Sequence, residues 1–316
     1  IFLVRYAIEA GLVTPTIRVL LSFLFGLGLI AGAEAAYRYE EKIRDERVRQ
    51  ALAGAGIATL YGAFYLAGTA YGLIGAGAAF IGLAIVTAGA IALSFRFGLP
   101  CAILGLVGGF AAPMMVNSES ANVPVLALYL ALVTGGLAWT GHMQGNRWLG
   151  YAALAIGLCG GVLMQLSGLG SSTDLLAVGG YLIKLGTILP AFLHDRQGPS
   201  LLQMAAAGIA TLQMAALVDS AGCTPLTWGL YLLISAALAF LGWRFSALRP
   251  ASGVAALIGV WLLALWPDPD STYFVAVSAA LAVIFAGMPL FHQLRGRANL
   301  IDIVQLAAVP GGIGAF

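Results

Sequence analysis

Long apolar runs alternate with short polar breaks along the whole chain. Most runs approach the ~20 residues that an α-helix needs to cross a bilayer. They predict an all-α, polytopic transmembrane helical bundle of about 13 segments, the first and last of them partial. The predicted segments cover residues 1–12, 17–36, 51–69, 72–95, 99–116, 123–141, 149–168, 175–193, 201–218, 226–243, 251–267, 272–291 and 299 to the end. A transmembrane β-barrel is excluded, because its strands would alternate strictly over about ten residues.

The composition supports a membrane location. Of the 316 residues, 61% are hydrophobic and only 9% are charged, whereas an ordinary soluble domain has about 25% charged residues. The same values exclude intrinsic disorder. Nine of the charges lie between Arg38 and Arg49. We therefore expect one transmembrane region over 1–316, with a charged cytoplasmic helical linker at 37–50.

The basic residues predict the orientation of the helices. Twelve of the fifteen Lys and Arg residues lie in every second polar break, while the opposite breaks carry mainly acids. By the positive-inside rule the basic breaks face the cytoplasm of a multi-pass protein. The arginines that end or begin these alternate breaks are Arg38, Arg49, Arg96, Arg147, Arg196, Arg244, Arg249, Arg295 and Arg297.

The basic breaks also recur regularly along the chain. From residue 97 to residue 295 they are about 50 residues apart, which predicts tandem helical hairpins that all point outward. The sequence begins at Ile1 and stops at Phe316, in both cases within an apolar run. We therefore interpret the chain as an interior piece of a longer polypeptide.

Glycines four residues apart predict close contacts between helices. In lipid, small residues favour helix association because they let two backbones approach. Pro113 follows one of these pairs and is expected to bend the outer turn of its helix. The predicted packing pairs are Gly28 with Gly32, Gly68 with Gly72, Gly105 with Gly109, and Gly157 with Gly161.

Five charged residues form the candidate polar site. Arg5 and Glu9 are one helical turn apart, Arg18 begins the return helix, and Glu119 ends another helix on the same predicted outer side. They form either ion pairs that fix the hairpin or an outward-facing polar pocket. Lys184 lies near the middle of a span, where a charge costs roughly 3 kcal/mol on insertion scales. It is either a functional lysine or one satisfied by backbone carbonyls or water.

The sequence predicts neither a metal site nor a cofactor. The three cysteines form no C-x-x-C pair, and the three histidines lie far apart at predicted cytoplasmic ends. No catalytic residues are assigned, since nucleophile, metalloprotease and phosphate-binding motifs are missing from the sequence. The scattered basic residues also argue against nucleic acid as a partner. Membrane lipids, and other membrane subunits, are the expected partners.

Three stretches of the sequence resemble a known family. They are LVRYAIEAGLVTPTIRVLL, ALAGAGIATLYGAFYLAGTAYG and LGLVGGFAAPMM, and they are similar to the predicted membrane proteins grouped as DUF2339. The resemblance covers about residues 1–120, and only hydropathy continues beyond it. It implies a large bacterial multi-span protein, located in the inner membrane, and it implies no activity.

Three functional hypotheses remain open. The first is a non-enzymatic membrane module that packs with partner proteins or lipids, favoured by the scarcity of polar groups in the spans. The second is a transporter or flippase for an amphipathic, lipid-linked envelope molecule, with Lys184, Arg5 and Glu9 as polar contacts. The third is an intramembrane enzyme acting on a lipid-linked substrate, for which Glu9 and Glu119 are the available bases.

Overall fold

The fold is all-helical throughout the part of the chain that the structure describes. The computed structural model describes residues 14–39, 45–116, 122–194, 201–245, 248–267, 269–294 and 300–313. In chain order the helices are α1 Pro15–Arg38, α2 Glu46–Ala70, α3 Ala76–Phe97, α4 Leu99–Met115, α5 Val123–Met143, α6 Arg147–Leu166, α7 Ser172–Phe192, α8 Leu201–Ser220, α9 Pro225–Arg244, α10 Arg249–Ala264, α11 Ser271–Leu294 and α12 Leu300–Ile313.

These helices confirm the predicted all-α, multi-span architecture. Each described helix corresponds to one of the segments predicted from residue 17 onward. The predicted segment at 1–12 lies outside the described residues, so the total of about 13 is not confirmed. Eight described helices are long and apolar enough to cross a membrane, while α4, α10 and the Ser271–Gly287 part of α11 are shorter apolar helices.

Local sequence signals set several helix ends. Pro15 and Pro225 occupy the first positions of α1 and α9, where the missing N–H of proline costs nothing. α7 begins with a capping box, in which the Ser171 hydroxyl accepts from the Asp174 N–H and the Asp174 carboxylate accepts from the Ser171 N–H. Asp45 caps α2 by accepting from the Arg47 N–H at 3.0 Å.

The turn between α2 and α3 differs from the prediction. α3 begins at Ala76 rather than at residue 72, because α2 ends in a π turn over Leu66–Ala70 and Gly72 has φ +60°. The N–H groups of Leu73 and Ile74 both donate to the Ala67 carbonyl, at 2.7 and 3.2 Å. These bonds close the helix and hold the turn, so the predicted span starts a turn too early.

The chain forms two compact units. The first comprises Ile1–Asn122 and Leu132–Ala153, and the second comprises Val123–Ala131 and Leu154–Phe316. In the first unit α1 and α2 cross closely at Gly26 and Gly56, where a Cβ on Gly56 would lie 2.8 Å from the Gly26 carbonyl oxygen. Phe23 and Phe64 pack edge to face nearby, with ring centroids 4.7 Å apart.

The arginine-bearing ends of the first unit lie together. Glu34 pairs with Arg38 at 3.2 Å and with Arg96 of α3 at 2.5 Å. The guanidinium groups of Arg49 and Arg96 lie 5.5 and 5.2 Å from the centre of the Tyr37 ring. The end of α1, the start of α2 and the end of α3 therefore meet at one end of the unit.

In the second unit an aromatic cluster and an ion pair join further helix ends. Trp266 stacks on Trp228 with ring centroids 5.0 Å apart and meets Tyr273 edge-on. This cluster links the start of α9, the end of α10 and the start of α11. Arg249 pairs with Asp302 at 3.5 Å, which joins the start of α10 to the start of α12.

Candidate functional site

Most of the predicted outer charge cluster lies outside the described residues. This holds for Arg5, Glu9 and Glu119. Arg18 is described: it lies half-buried in the first turns of α1, and its carbonyl accepts a bond from the Ser22 hydroxyl at 2.9 Å. The pairing of Arg5 with Glu9, and the outward-facing pocket, stay predictions.

Lys184 lies inside the second unit and contacts the backbone of a neighbouring helix. Its side chain is half-buried, and its ammonium donates to the Ala131 carbonyl of α5. This contact corresponds to the structural alternative that the sequence left open, a lysine satisfied by a backbone carbonyl.

Lys184 is also the first residue of a π segment, Lys184–Ile188, within α7. The segment ends just before Pro190, which has no N–H and whose ring would press on the carbonyl of Gly186 in a regular α-helix. The wider π turn closes instead with a bond from the Leu189 N–H to the Lys184 carbonyl. The proline thus accounts for a distortion of α7 at the turn that begins with Lys184.

Three further polar side chains donate to backbone carbonyls in the same unit. The Tyr181 hydroxyl donates to the Gly157 carbonyl of α6 at 2.8 Å. The amides of Gln213 and Gln165 donate to the carbonyls of Leu158 and Gln213, at 3.1 and 3.0 Å. We call Tyr181, Lys184, Gln165 and Gln213 the donor cluster, because each donates a hydrogen bond to a main-chain carbonyl of another helix.

The predicted glycines of α6 face this donor cluster. Gly157 supplies the carbonyl that Tyr181 reaches. A Cβ on Gly161 would lie 2.5 Å from Oε1 of Gln213 and 3.2 Å from Leu182. Gly161 therefore leaves room for the Gln213 amide beside the α6 backbone, and Gly157 offers its carbonyl to Tyr181.

In the first unit the glycines of α4 pack against α3. A Cβ on Gly105 would lie 3.4 Å from the side chains of Ala90 and Ile91. A Cβ on Gly109 would lie 2.8 Å from Cγ2 of Thr87 and 3.0 Å from Val133. Pro113 follows in the last turn of α4, and it has no N–H of its own to donate one helical turn back.

Gly108 brings two of the motif stretches together. A Cβ on Gly108 would lie 2.3 Å from Cζ of Tyr61, so the Tyr61 ring lies directly on the α4 backbone. The Tyr61 hydroxyl donates to Thr87 at 2.9 Å, and the Thr87 hydroxyl donates to the Leu83 carbonyl at 2.8 Å. Tyr61 is buried, whereas Tyr65, one turn further along α2, is exposed.

The predicted contact at Gly28 and Gly32 is not made by any described residue. A Cβ at either position would have no atom of another described residue within 4 Å. These glycines lie on α1 among exposed apolar side chains such as Leu21 and Phe25. α1 contacts α2 at Gly26 instead, because Gly56 of α2, which has no side chain, lies opposite Gly26.

The comparison with known families agrees with the motif stretches and extends them. The family described as "Predicted membrane protein (DUF2339)" matches residues 1–309. The chain belongs to DUF2339. The match continues far beyond residue 120, where the motif resemblance ends, and it covers all the described helices except the last four residues of α12. Comparison with curated proteins and with solved structures gives no significant match.

The described residues of the DUF2339 chain offer little chemistry at their other titratable groups. No group of three or more His, Cys, Asp or Glu side chains that could hold a metal ion occurs among them. Cys223 lies in the turn between α8 and α9, where burial, followed by the charge of Asp219, raises the pKa of its thiol. A thiol with a raised pKa is mostly protonated and therefore a poor nucleophile.

Sequence reasoning missed most of the donor cluster. It singled out Lys184 as an intramembrane charge but gave no role to Tyr181, Gln165 or Gln213. Their signal was present, since each is a polar side chain within an apolar run. Their acceptors could not be found from the sequence, because every residue type carries the same backbone carbonyl.

Proposed function

We propose that this DUF2339 chain is a non-enzymatic, multi-span module of the bacterial inner membrane. In this proposal it packs with membrane lipids, and with other membrane subunits, through the outer faces of its helices. The observation that carries the proposal is how the donor cluster is used. Tyr181, Lys184 and Gln213 all donate to main-chain carbonyls of neighbouring helices, so these groups hold helices together.

The outer helix faces support the same proposal. On α1 a row of large apolar side chains is more than half exposed, including Leu20, Leu24 and Phe25. Apolar surface of this extent needs lipid or another apolar protein surface to cover it. Gly28 and Gly32 leave open space on the same helix, which would accommodate an acyl chain or a neighbouring helix.

A vesicle assay tests the proposal against transport. The chain is reconstituted into vesicles containing a head-labelled fluorescent phosphatidylethanolamine, and separately a fluorescent polyprenyl phosphate, and dithionite is added outside. We expect the same protected fraction of each probe as in vesicles without protein. A smaller protected fraction would mean that lipid crosses the bilayer, which would contradict the proposal.

A transporter or flippase for an amphipathic molecule is the second candidate. It is favoured by the π segment that begins at Lys184, because π segments and intramembrane charges are both common at functional sites. If either probe crosses the bilayer, Lys184→Met distinguishes a transporter from a leaky preparation. Loss of crossing in that variant would support the second candidate, whereas unchanged crossing would indicate leakage.

The proposed orientation places the arginine-bearing breaks in the cytoplasm. It predicts that Asp270→Cys is labelled by an impermeant thiol reagent added to intact cells, whereas Arg147→Cys is labelled only after lysis. The background carries Cys101→Ala, Cys159→Ala and Cys223→Gly, with glycine at 223 because that residue has φ +56°. The reverse pattern of labelling would invert the topology.

A further inference from the structure

An open apolar groove lies between α9 and α11 of the second unit. It has a volume of about 430 Å³, and its lining is almost entirely apolar. The space above Gly287 is empty, since a Cβ at this position would have no atom of another described residue within 4 Å. The lining residues are Ala236, Ala239, Phe240, Trp243, Val283, Ile284 and Gly287.

An arginine follows the groove residues of α9 at the end of that helix, with its guanidinium 5.5 Å from the centre of the Phe245 ring. Arg244 is the last residue of α9, is exposed, and follows the groove residue Phe240 by one helical turn on the same face. Trp243 lies at the same end and is also exposed. Tryptophan and arginine together are typical of the membrane–water interface. The groove therefore runs from the interface into the hydrocarbon region.

Its length suits one leaflet of a bilayer. The α9 residues that line it extend from Ala236 to Trp243, which corresponds to about 10 Å along the helix. One leaflet of the hydrocarbon core is about 15 Å thick. An acyl chain that lies along the groove would therefore have its headgroup at the end of α9 that carries Arg244.

We propose that this groove, with Arg244 at its end, binds an anionic phospholipid of the cytoplasmic leaflet, one acyl chain between α9 and α11 and the phosphate at Arg244. The proposal rests on the proposed function, because it names the lipid class and the surface through which the module packs with lipid. Basic positions between helix ends on the cytoplasmic side are a known basis for recognition of anionic headgroups.

Native mass spectrometry with added lipid tests the groove. The folded chain in detergent is titrated with phosphatidylglycerol and, separately, with phosphatidylcholine of the same acyl chains. We expect tighter binding of phosphatidylglycerol to the unmodified chain. Gly287→Leu fills the groove without a backbone clash and is expected to remove this binding. Gly229→Leu is the matched control, because it makes the same change at an open position of α9 outside the groove.

A second pair of variants tests the headgroup. Arg244→Gln is expected to weaken phosphatidylglycerol binding roughly fivefold, the effect of one basic residue near an anionic surface, and to remove the preference over phosphatidylcholine. Arg147→Gln changes an exposed arginine at the start of α6 and is expected to leave both unchanged. Equal binding in Gly287→Leu and Gly229→Leu, or no preference for phosphatidylglycerol in the unmodified chain, would overturn the proposal.

The lipid-binding test of the groove and the vesicle assay of the proposed function can fail independently of each other. If the vesicle assay shows lipid crossing while Gly287→Leu still abolishes phosphatidylglycerol binding, the groove stands and the non-enzymatic module fails. If no lipid crosses but Gly287→Leu binds lipid normally, the module stands and the groove fails. A change of oligomeric mass in Gly287→Leu with lipid binding unchanged would assign the groove to a protein contact and overturn the lipid proposal.

Discussion

Gly109→Leu is expected to destabilise the first unit by about 1–3 kcal/mol, the cost of overpacking a closely packed site. Even the Cβ of a residue at this position would lie 2.8 Å from Thr87 and 3.0 Å from Val133. The Thr87 hydroxyl also accepts a bond from Tyr61, so displacing Thr87 would disturb that buried bond. α4 would have to move away from α3. Reversible SDS titration of the detergent-solubilised chain measures the free energy of unfolding.

Gly28→Leu is the matched control for this prediction. The substitution is the same, but the space around Gly28 is open among the described residues. The variant is expected to unfold within about 0.5 kcal/mol of the unmodified chain, as exposed substitutions usually do. Equal losses at Gly109 and Gly28 would show that the contact between α3 and α4 does not limit stability.

The positions of the spans were predictable because the membrane imposes a simple rule. Backbone polar groups in hydrocarbon must be satisfied within the segment, so a run of about 20 apolar residues has to be helical. The run that becomes α8, for example, contains two glutamines and still forms one helix, Leu201–Ser220. Prediction was weakest at helix ends, as at Ala76, where the positive φ of Gly72 decides the boundary.

The faces of the helices were less predictable than their positions. Spacing by four marks a stripe of glycines but does not say what lies opposite to it. Gly109 packs against Thr87 and Val133, whereas Gly28 meets no described residue. The difference depends on the partner helix: Gly26 rather than Gly28 faces the bare backbone of Gly56. Whether a glycine makes a close contact therefore depends on the residues of both helices, and the spacing within one helix does not reveal it.

The candidate site shows the same limit. The cost of burying a charge pointed to Lys184 from the sequence, and the structure brings its ammonium to the Ala131 carbonyl. The π segment around it depends on Pro190, six residues later. A proline within a helix predicts some distortion, but whether the helix kinks, breaks or widens depends on the neighbours that it packs against.

Lys184→Glu is expected to destabilise the second unit by about 3 kcal/mol relative to Lys184→Gln. The glutamate and glutamine side chains of these two variants have the same shape. A glutamine amide can still donate to the Ala131 carbonyl, whereas an ionised glutamate brings one acceptor against another and leaves a buried charge without its hydrogen bond. Insertion scales give lysine and acidic residues similar costs at the centre of a span, so a loss of stability in Lys184→Glu relative to the unmodified chain would not reflect a higher cost of placing the charge in the membrane.

Reversible SDS titration of the three chains at pH 8 measures this difference. The structural role assigned to Lys184 predicts that Lys184→Gln retains most of the stability and that Lys184→Glu loses it. If the Glu and Gln variants unfold at the same SDS concentration, the contact with Ala131 does not hold α7 to α5. The membrane-module proposal would then lose one of the three contacts that carry it. A vesicle assay in which Lys184→Gln changes lipid crossing at unchanged stability would favour the transporter instead, since the lysine would then act on something other than its own fold.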